Sequence, residues 1–98
     1  MPGDARISEE LLASYAADAA RDVAGVRGVV GKPLRGRRGV RVVEDDGGVT
    51  VEVHLGVEWG ASIPELGAHV QRRVAEYLAE MADVRPAAVT VVVDEIAA

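Results

Sequence analysis

The 98-residue chain contains no cysteine and no phenylalanine, and its only aromatic residues are Tyr15, Trp59 and Tyr77. Without cysteine it can form no disulfide, no thiolate zinc site and no cysteine nucleophile, which fits a reducing cytoplasm. With so few aromatic rings, the core must be built from aliphatic side chains. Valine and alanine dominate the sequence, and they suit closely packed helices on a β-branched sheet.

Long apolar runs are also missing. The most apolar stretches, such as residues 91–93, are a few residues long, whereas a membrane span needs about 20. Asp4, Glu9 and Glu10 occupy the region where a secretory signal needs a basic start and an apolar stretch. We therefore expect a cytoplasmic protein without a membrane span, whose association with a membrane is peripheral or through a partner.

Two helices are predicted from apolar residues at three- and four-residue spacing. The first covers residues 8–24, with Ser8 as its N-cap and Gly25 as its left-handed stop. The second opens at Ser62, which has capping-box spacing to Glu65. The apolar stripe of the second helix is expected to be buried and comprises Ile63, Leu66, Val70, Val74, Tyr77, Leu78 and Met81.

Four strands are predicted, and the order of elements sets the fold class. The third strand alternates strictly, which puts Val51, Val53, Leu55, Val57 and Trp59 on a buried face and Glu52, His54 and Glu58 on the opposite face. The order α-β-β-β-α-β favours an α+β fold with two layers, in which both helices pack on one face of a mostly antiparallel sheet. We expect one domain over residues 1–98, with a flexible tail at 1–6. The strands are predicted over residues 26–30, 40–44, 49–59 and 88–96.

A search for catalytic or metal-binding patterns finds little. His54 and His69 have no second ligand at the spacing that metal sites on helices use, so both are interpreted as surface residues, although Glu52 and Glu58 flank His54. No G-x-S-x-G elbow is present. We expect no enzymatic activity, no cofactor and no metal; a small enzyme or ligand carrier with a site between sheet and helices is the alternative.

One glycine pattern suggests a second alternative. Gly28-Val-Val-Gly31 matches the G-x-x-G of KH domains, which clamps a nucleic-acid backbone. In KH domains that loop joins two helices, whereas here it follows a predicted strand. A phosphate loop is excluded, because the glycines are too close and Pro33 follows Lys32. A KH-like nucleic-acid-binding module using Gly28–Gly31 and the neighbouring cations remains open, against an acidic net charge and a lack of stacking aromatics.

The cations are unevenly distributed. Five of the eleven basic residues lie within ten positions, and removing them from the net charge of −5 leaves −10 for the rest of the chain. This basic segment is either a solvated loop or an electrostatic contact for an acidic protein face, another copy of the chain or anionic lipid headgroups. The candidate partner-binding residues of the basic segment are Lys32, Arg35, Arg37, Arg38 and Arg41.

An ordered set of features covers the chain from Ile7 to Ile96. It comprises Ile7 before an alanine-rich helix, Gly25-Val26, a Gly39-Val40 strand, Trp59-Gly60 after an alternating strand, Ile63, Val70-Gln71, Met81 and the Val89-x-Val-x-Val93 strand. In this set the sequence resembles the alkaline shock protein family, the Gls-type general stress and envelope stress response proteins of Gram-positive bacteria. It departs from the family pattern in having Trp59 in place of tyrosine and Ala82-Asp83 in place of Thr-Gly, and it lacks long polar tails.

The resemblance implies a non-enzymatic cytoplasmic scaffold or adaptor in cell-envelope homeostasis under stress. Such a protein would associate with itself as a homo-oligomer and act near the membrane through a membrane-anchored protein partner. The family offers no catalytic residues to transfer to this chain.

Overall fold

The first helix begins where the sequence predicts but ends earlier than predicted. The computed structural model describes residues 8–30, 33–34 and 37–97, with the side chains of 8–30 and 39–97. Helix α1 spans Glu9–Arg21, and the Ser8 hydroxyl accepts a hydrogen bond from the Leu11 N–H at 3.1 Å. The helix ends three residues earlier than predicted, and the chain then turns through Gly25 at a φ of +95°. The tail predicted over residues 1–6 lies outside the described ranges.

Helix α2 spans Ile63–Ala82, and the capping box predicted at its start is wrong. Ser62 occupies the N-cap position, but its side chain makes no capping hydrogen bond; its carbonyl instead accepts the Leu66 N–H at 2.9 Å. At the other end, Asp83 takes a left-handed conformation with a φ of 54°. Left-handed backbone is costly for a residue with a side chain and is usually occupied by glycine.

The main sheet is organised around one long central strand. Strands β1 (Val26–Val29) and β4 (Val40–Asp45) pair antiparallel with successive parts of β5 (Gly48–Glu58), and β6 (Ala88–Ala97) pairs with β5 in parallel. Val53, for example, faces Val40 on one side and Val91 on the other. Strands β1 and β4 therefore lie end to end along one side of β5, and β6 forms the opposite edge.

The segment between the first two predicted strands, residues 31–39, contains a small hairpin. Strands β2 (Pro33–Leu34) and β3 (Arg37–Arg38) pair antiparallel between β1 and β4. The hairpin leaves the sheet beside His54, whose carbonyl accepts the Val30 N–H and whose N–H donates to the Gly39 carbonyl. Gly39 has a φ of +72°, and a Cβ there would collide with the Val30 carbonyl oxygen. Only glycine fits this junction without strain.

Both helices cover the same face of the sheet, as predicted. Alanines of α1 (13, 16, 17, 19 and 20) are buried and let it approach the sheet closely. Across the helix pair, the rings of Tyr15 and Tyr77 meet edge to face at 5.8 Å, and the Arg73 guanidinium lies 5.3 Å from the Tyr77 ring centre. The predicted inward face of β5 is confirmed, because Val51, Val53, Leu55 and Val57 are all buried.

Three apolar residues expected in the core are not buried. Ile63 and Met81, at the two ends of α2, are 37% and 48% exposed. Trp59 lies just beyond the end of β5 and is 74% exposed, so its predicted place on the buried face is wrong. In each case the residue lies at or just beyond an end of its element.

Candidate functional site

The sheet face opposite the helices carries the polar residues of three strands. We call it the open face. Strand β4 contributes Arg41, which is exposed and stands opposite Glu52 of β5. Because the helices pack only on the other side, these side chains border no second layer among the described residues. Other residues of the open face include Val43, Thr50, His54, Thr90, Val92 and Asp94.

A histidine bridged by two carboxylates lies at the centre of the open face. The Nε2 atom of His54 is 2.7 Å from Oε2 of Glu52, its neighbour two positions earlier on β5. Its Nδ1 atom is 2.9 Å from Oδ2 of Asp94 on β6. The His54 side chain is 27% exposed. The cluster therefore joins the central strand to the edge strand at a partly desolvated position.

The geometry of this cluster favours the doubly protonated imidazole. A carboxylate only accepts hydrogen bonds, and only the imidazolium has an N–H on both ring nitrogens. The hydrogen bond to Glu52 raises the pKa of His54 above its ordinary value of 6.5, burial opposes this, and the hydrogen bond and charge of Asp94 raise it further. Below this raised pKa, the open face holds a positive charge between two carboxylates.

Asp94 is the member of this cluster that the sequence did not reveal. The β5–β6 register shifts at this point, because Leu55 faces Val93 whereas Gly56 faces Glu95, which leaves Asp94 as the extra residue. Asp94 lies two residues after Val92, which stands opposite His54, so it shares the open face with His54. Glu58, which the sequence also placed beside His54, makes no hydrogen bond or ion pair with it in the described part of the chain.

The other candidate catalytic or metal-binding residues do not come together in one site. Within residues 8–30 and 39–97, no group of three or more histidine or acidic side chains is arranged to hold a metal ion. His69 is exposed on α2, away from His54, in a surface groove with Arg72 and Glu76. The interior between sheet and helices, where the ligand-carrier alternative places its site, is occupied by side chains that include the fully buried Leu12 and Leu78.

The structure divides the basic segment between two places. Arg37 and Arg38 form β3 of the hairpin, whereas Arg41 lies on the open face of β4. Lys32 and Arg35 lie outside the described residues. Gly28, the first glycine of the KH-like pattern, belongs to β1 and faces Gly56 of β5. The glycine pattern here begins within a strand, whereas in a KH domain it follows a helix.

Comparison with known proteins places the chain in a family and in a fold. A sequence model of the alkaline shock protein 23 family, described by a cell envelope-related function, matches residues 2–98. No curated protein sequence matches the chain. Among the residues that the structure describes, no helix has both the length and the apolar character needed to cross a membrane.

Solved structures of MamM-CTD share the fold. A histidine-to-alanine variant is 19% identical and covers 93% of this chain and 100% of its own, with a TM-score of 0.61. The manganese form of a glutamate-to-aspartate variant is 18% identical and covers 90% of this chain and 99% of its own, with a TM-score of 0.59. The cadmium form of an aspartate-to-glutamate variant is 18% identical, with coverage of 90% and 98% and a TM-score of 0.59. At this level of identity the likeness extends to the fold alone.

Proposed function

Because the chain belongs to the alkaline shock protein 23 family, with its cell envelope-related function, we propose that it is a non-enzymatic scaffold or adaptor in the envelope stress response. It acts in the cytoplasm close to the membrane, where it associates with itself and with a membrane-anchored protein. The basic segment is its main electrostatic contact.

The observation that carries this proposal is the separation of charge along the chain. Five cations lie within ten positions, while the rest of the chain has a formal charge of −10. A cationic patch on an acidic protein attracts acidic partners, including other copies of the same protein, and raises the rate of encounter. The same balance disfavours general binding to nucleic acid, which needs a surplus of cations.

The position of the basic segment supports a role in contacts. The β2–β3 hairpin connects β1 to β4, and the residues that flank it, Val30 and Gly39, are hydrogen-bonded to the His54 backbone. Arg41, the last cation of the basic segment, lies on the open face. The helices pack on the other face, so a partner could approach this region without displacing the core.

Salt dependence provides the first test. Charge attraction should weaken as the Debye length falls from about 10 Å at 0.1 M salt to about 3 Å at 1 M. We would change Arg35, Arg37 and Arg38 together to serine and follow assembly of the full chain by light scattering across this range. The expected result is that the parent assembles at low salt and dissociates at high salt, whereas the triple variant stays dispersed throughout.

A matched control removes the same charge elsewhere. The chain with Arg21, Arg72 and Arg85 changed to serine loses three cations outside the basic segment and should assemble like the parent. Thermal stability should barely change in the control variant, because its three arginines are exposed and exposed charges contribute little to folding. If the variant of the basic segment assembles like the parent at low salt, the segment is only a solvated connection. Salt-sensitive binding of single-stranded RNA by the parent would favour the KH-like alternative instead.

A further inference from the structure

We propose that β6 pairs with the β6 strand of a second copy of this chain, antiparallel and about a two-fold axis, so that the two main sheets join into one. The contact is formed by residues 88–93, the uncharged part of the strand, and we call it the β6 edge. The inference goes beyond the self-association proposed above, because it uses neither the basic segment nor attraction between charges.

The β6 edge belongs to a long strand that is paired on one side only. Strand β6 has ten residues and pairs with β5, and no other described strand pairs with it. The backbone groups on its outer side form a row that can pair with another chain. The Val89 carbonyl accepts a hydrogen bond from the Gln71 side chain of α2 at 3.0 Å. A carbonyl has two lone pairs, so this bond leaves room for a second.

The β6 edge lacks the features that keep edge strands from pairing. Natural edge strands are protected by short length, charged residues, proline or a bulge. Residues 88–93 read Ala-Val-Thr-Val-Val-Val, without a charge or a proline. Protecting features lie only beyond its ends, with Pro86 before it and Asp94 at the register shift after it. The six residues between them are therefore the part of the strand that is open to pairing.

The opposite edge of the sheet is protected. It is shared by β1 and β4, which are only four and six residues long. Both strands carry exposed charged residues, namely Arg27 on β1 and Arg41 and Glu44 on β4. Short strands and charges both discourage pairing with another chain. The contrast between the two edges is what we expect if β6 alone is a contact surface.

The apolar row of β6 is incompletely covered. Val53 of β5 is 0% exposed, whereas its neighbour Val91 on β6 is only partly buried, as are Val89 and Val93. An open groove lined by alanines of α2 runs beside the start of β6 and leaves space for a further strand. A second β6 would cover the valines from the side, and facing β-branched residues stabilise an antiparallel pair.

The chemistry of the β6 edge identifies a second copy as the occupant. A strand that fits beside six uncharged residues must itself be uncharged and rich in β-branched side chains. Among the described strands, β1 and β4 carry charges and β5 is already paired on both sides. Only β6 has the required sequence, and in a second copy it also provides the same unpaired row of backbone groups.

The acidic residues after the β6 edge select the antiparallel orientation. A parallel pair would place Asp94 and Glu95 of one copy beside the same residues of the other, and like charges facing each other are destabilising. An antiparallel pair centred within residues 88–93 moves each acidic pair to the start of the other strand. A two-fold axis across the sheet then keeps all four helices on one face, and the assembly closes at the dimer.

Pairing through β6 leaves both basic segments available. Strands β1 and β4, which the basic segment connects, lie on the side of β5 away from β6. The joined sheet therefore has one basic segment toward each outer side. Two such segments on one dimer strengthen binding to clustered partners without any new contact.

Amide hydrogen exchange tests the backbone contact. In 1 M salt, where attraction between charges is screened, we would record exchange of the full chain by NMR below and above the dimerisation midpoint found by sedimentation velocity. Because alternate residues bond to opposite sides of a strand, every second amide of residues 88–93 should slow above the midpoint. The amides of β4 are the internal control and should not change. A dimer whose β6 amides exchange as in the monomer, or a parent that stays monomeric at NMR concentrations, would overturn the proposal.

Thr90→Lys tests the β6 edge by adding a charge to it. Thr90 is exposed on the open face, and two-fold pairing brings the two added lysines close together at the shared edge. The dissociation constant of the dimer should rise by about 5-fold or more, because like charges that face each other oppose pairing.

Thr50→Lys is the matched control. It places the same charge on the same face of the central strand, which has β4 on one side and β6 on the other. This variant should dimerise like the parent, and circular dichroism checks that both variants are folded. A dissociation constant unchanged in Thr90→Lys, or raised equally in both variants, would overturn the assignment of the β6 edge.

The outcomes separate this inference from the proposed function. The variant with Arg35, Arg37 and Arg38 changed to serine should lose larger assemblies but keep the dimer at every salt concentration. If it assembles like the parent while Thr90→Lys still weakens the dimer, the role of the basic segment fails and the β6 contact stands. If it loses the dimer as well, the β6 contact is overturned. Protection of alternate β6 amides in a monomeric parent would also overturn the second copy as occupant.

Discussion

Replacing Asp94 with asparagine tests the contact that ties the central strand to the edge strand. The amide keeps the size of the carboxylate but removes its charge, so the 2.9 Å hydrogen bond to Nδ1 of His54 loses its charge assistance. Hydrogen bonds to charged groups contribute about 1.5–3 kcal/mol. The two side chains are 27% and 35% exposed, which lowers that contribution. We expect the free energy of unfolding to fall by about 1 kcal/mol at about pH 5.

The stability lost in Asp94→Asn should be largest at low pH and should shrink as pH rises. The pKa of His54 is raised above 6.5 in the folded protein, first by the hydrogen bond to Glu52 and further by Asp94. The imidazolium therefore adds stability that is complete below the unfolded-state pKa of 6.5 and disappears as pH rises through the higher folded-state value. Urea unfolding followed by circular dichroism, from about pH 5 to about pH 9, should show a larger decline in the parent than in Asp94→Asn.

Asp46→Asn is the matched control, because Asp46 is an exposed carboxylate in the turn between β4 and β5. The free energy of unfolding of Asp46→Asn should decline with rising pH as that of the parent does. The NMR titration of the His54 imidazole should also move to lower pH in Asp94→Asn. The stabilising role of the His54–Asp94 contact would be refuted if stability declined equally in the parent and in Asp94→Asn. It would also be refuted if the parent gained stability from pH 6.5 upward.

Three further substitutions test the fold that positions these surfaces, each by urea unfolding. Val53→Ala should lower the free energy of unfolding by about 1–3 kcal/mol, because Val53 is fully buried under the helices. Val43→Ala, on the open face, should lower it by less than about 1 kcal/mol. Equal losses in the two variants would contradict the layer assignment. Asp83→Gly should stabilise the chain by about 0.5 kcal/mol, because relief of the left-handed backbone outweighs the greater freedom of glycine when unfolded; a loss would contradict this reason. Gly39→Ala should cost more than about 2 kcal/mol through its collision with the Val30 carbonyl, and a neutral result would show that this junction can relax.

The sequence predicted the layers because its patterns are local. Alternation along β5 identified Val53 and its neighbours as the buried row, and helical spacing placed Leu66 and Val70 in the core. Alternation does not reveal where the covering layer stops, so it wrongly continued the buried row to Trp59. Likewise, the predicted apolar stripe of α2 extended to Met81, which lies in the last turn of the helix and is half exposed.

The candidate site was less predictable because it depends on contacts between distant segments. Glu52 and His54 are two positions apart on one strand and were expected on the same face. Asp94 is 40 residues away from His54 and lies on another strand, beside a shift in strand register. Nothing local to Asp94 signals which strand β6 pairs with or in which register. The basic segment, in contrast, was visible from composition alone, and its role as a contact stays a prediction.

We propose that the chain works as an envelope-associated adaptor through its basic segment. The most direct measurement is photo-crosslinking of the full-length chain in the cells that produce it, with the reactive group at Arg41, which is exposed beside the hairpin. The expected products are crosslinks to another copy of the chain and to a membrane-anchored protein, both reduced when Arg35, Arg37 and Arg38 are serine. Crosslinks dominated by ribonucleoproteins, or envelope crosslinks equally strong in the serine variant, would contradict the claim.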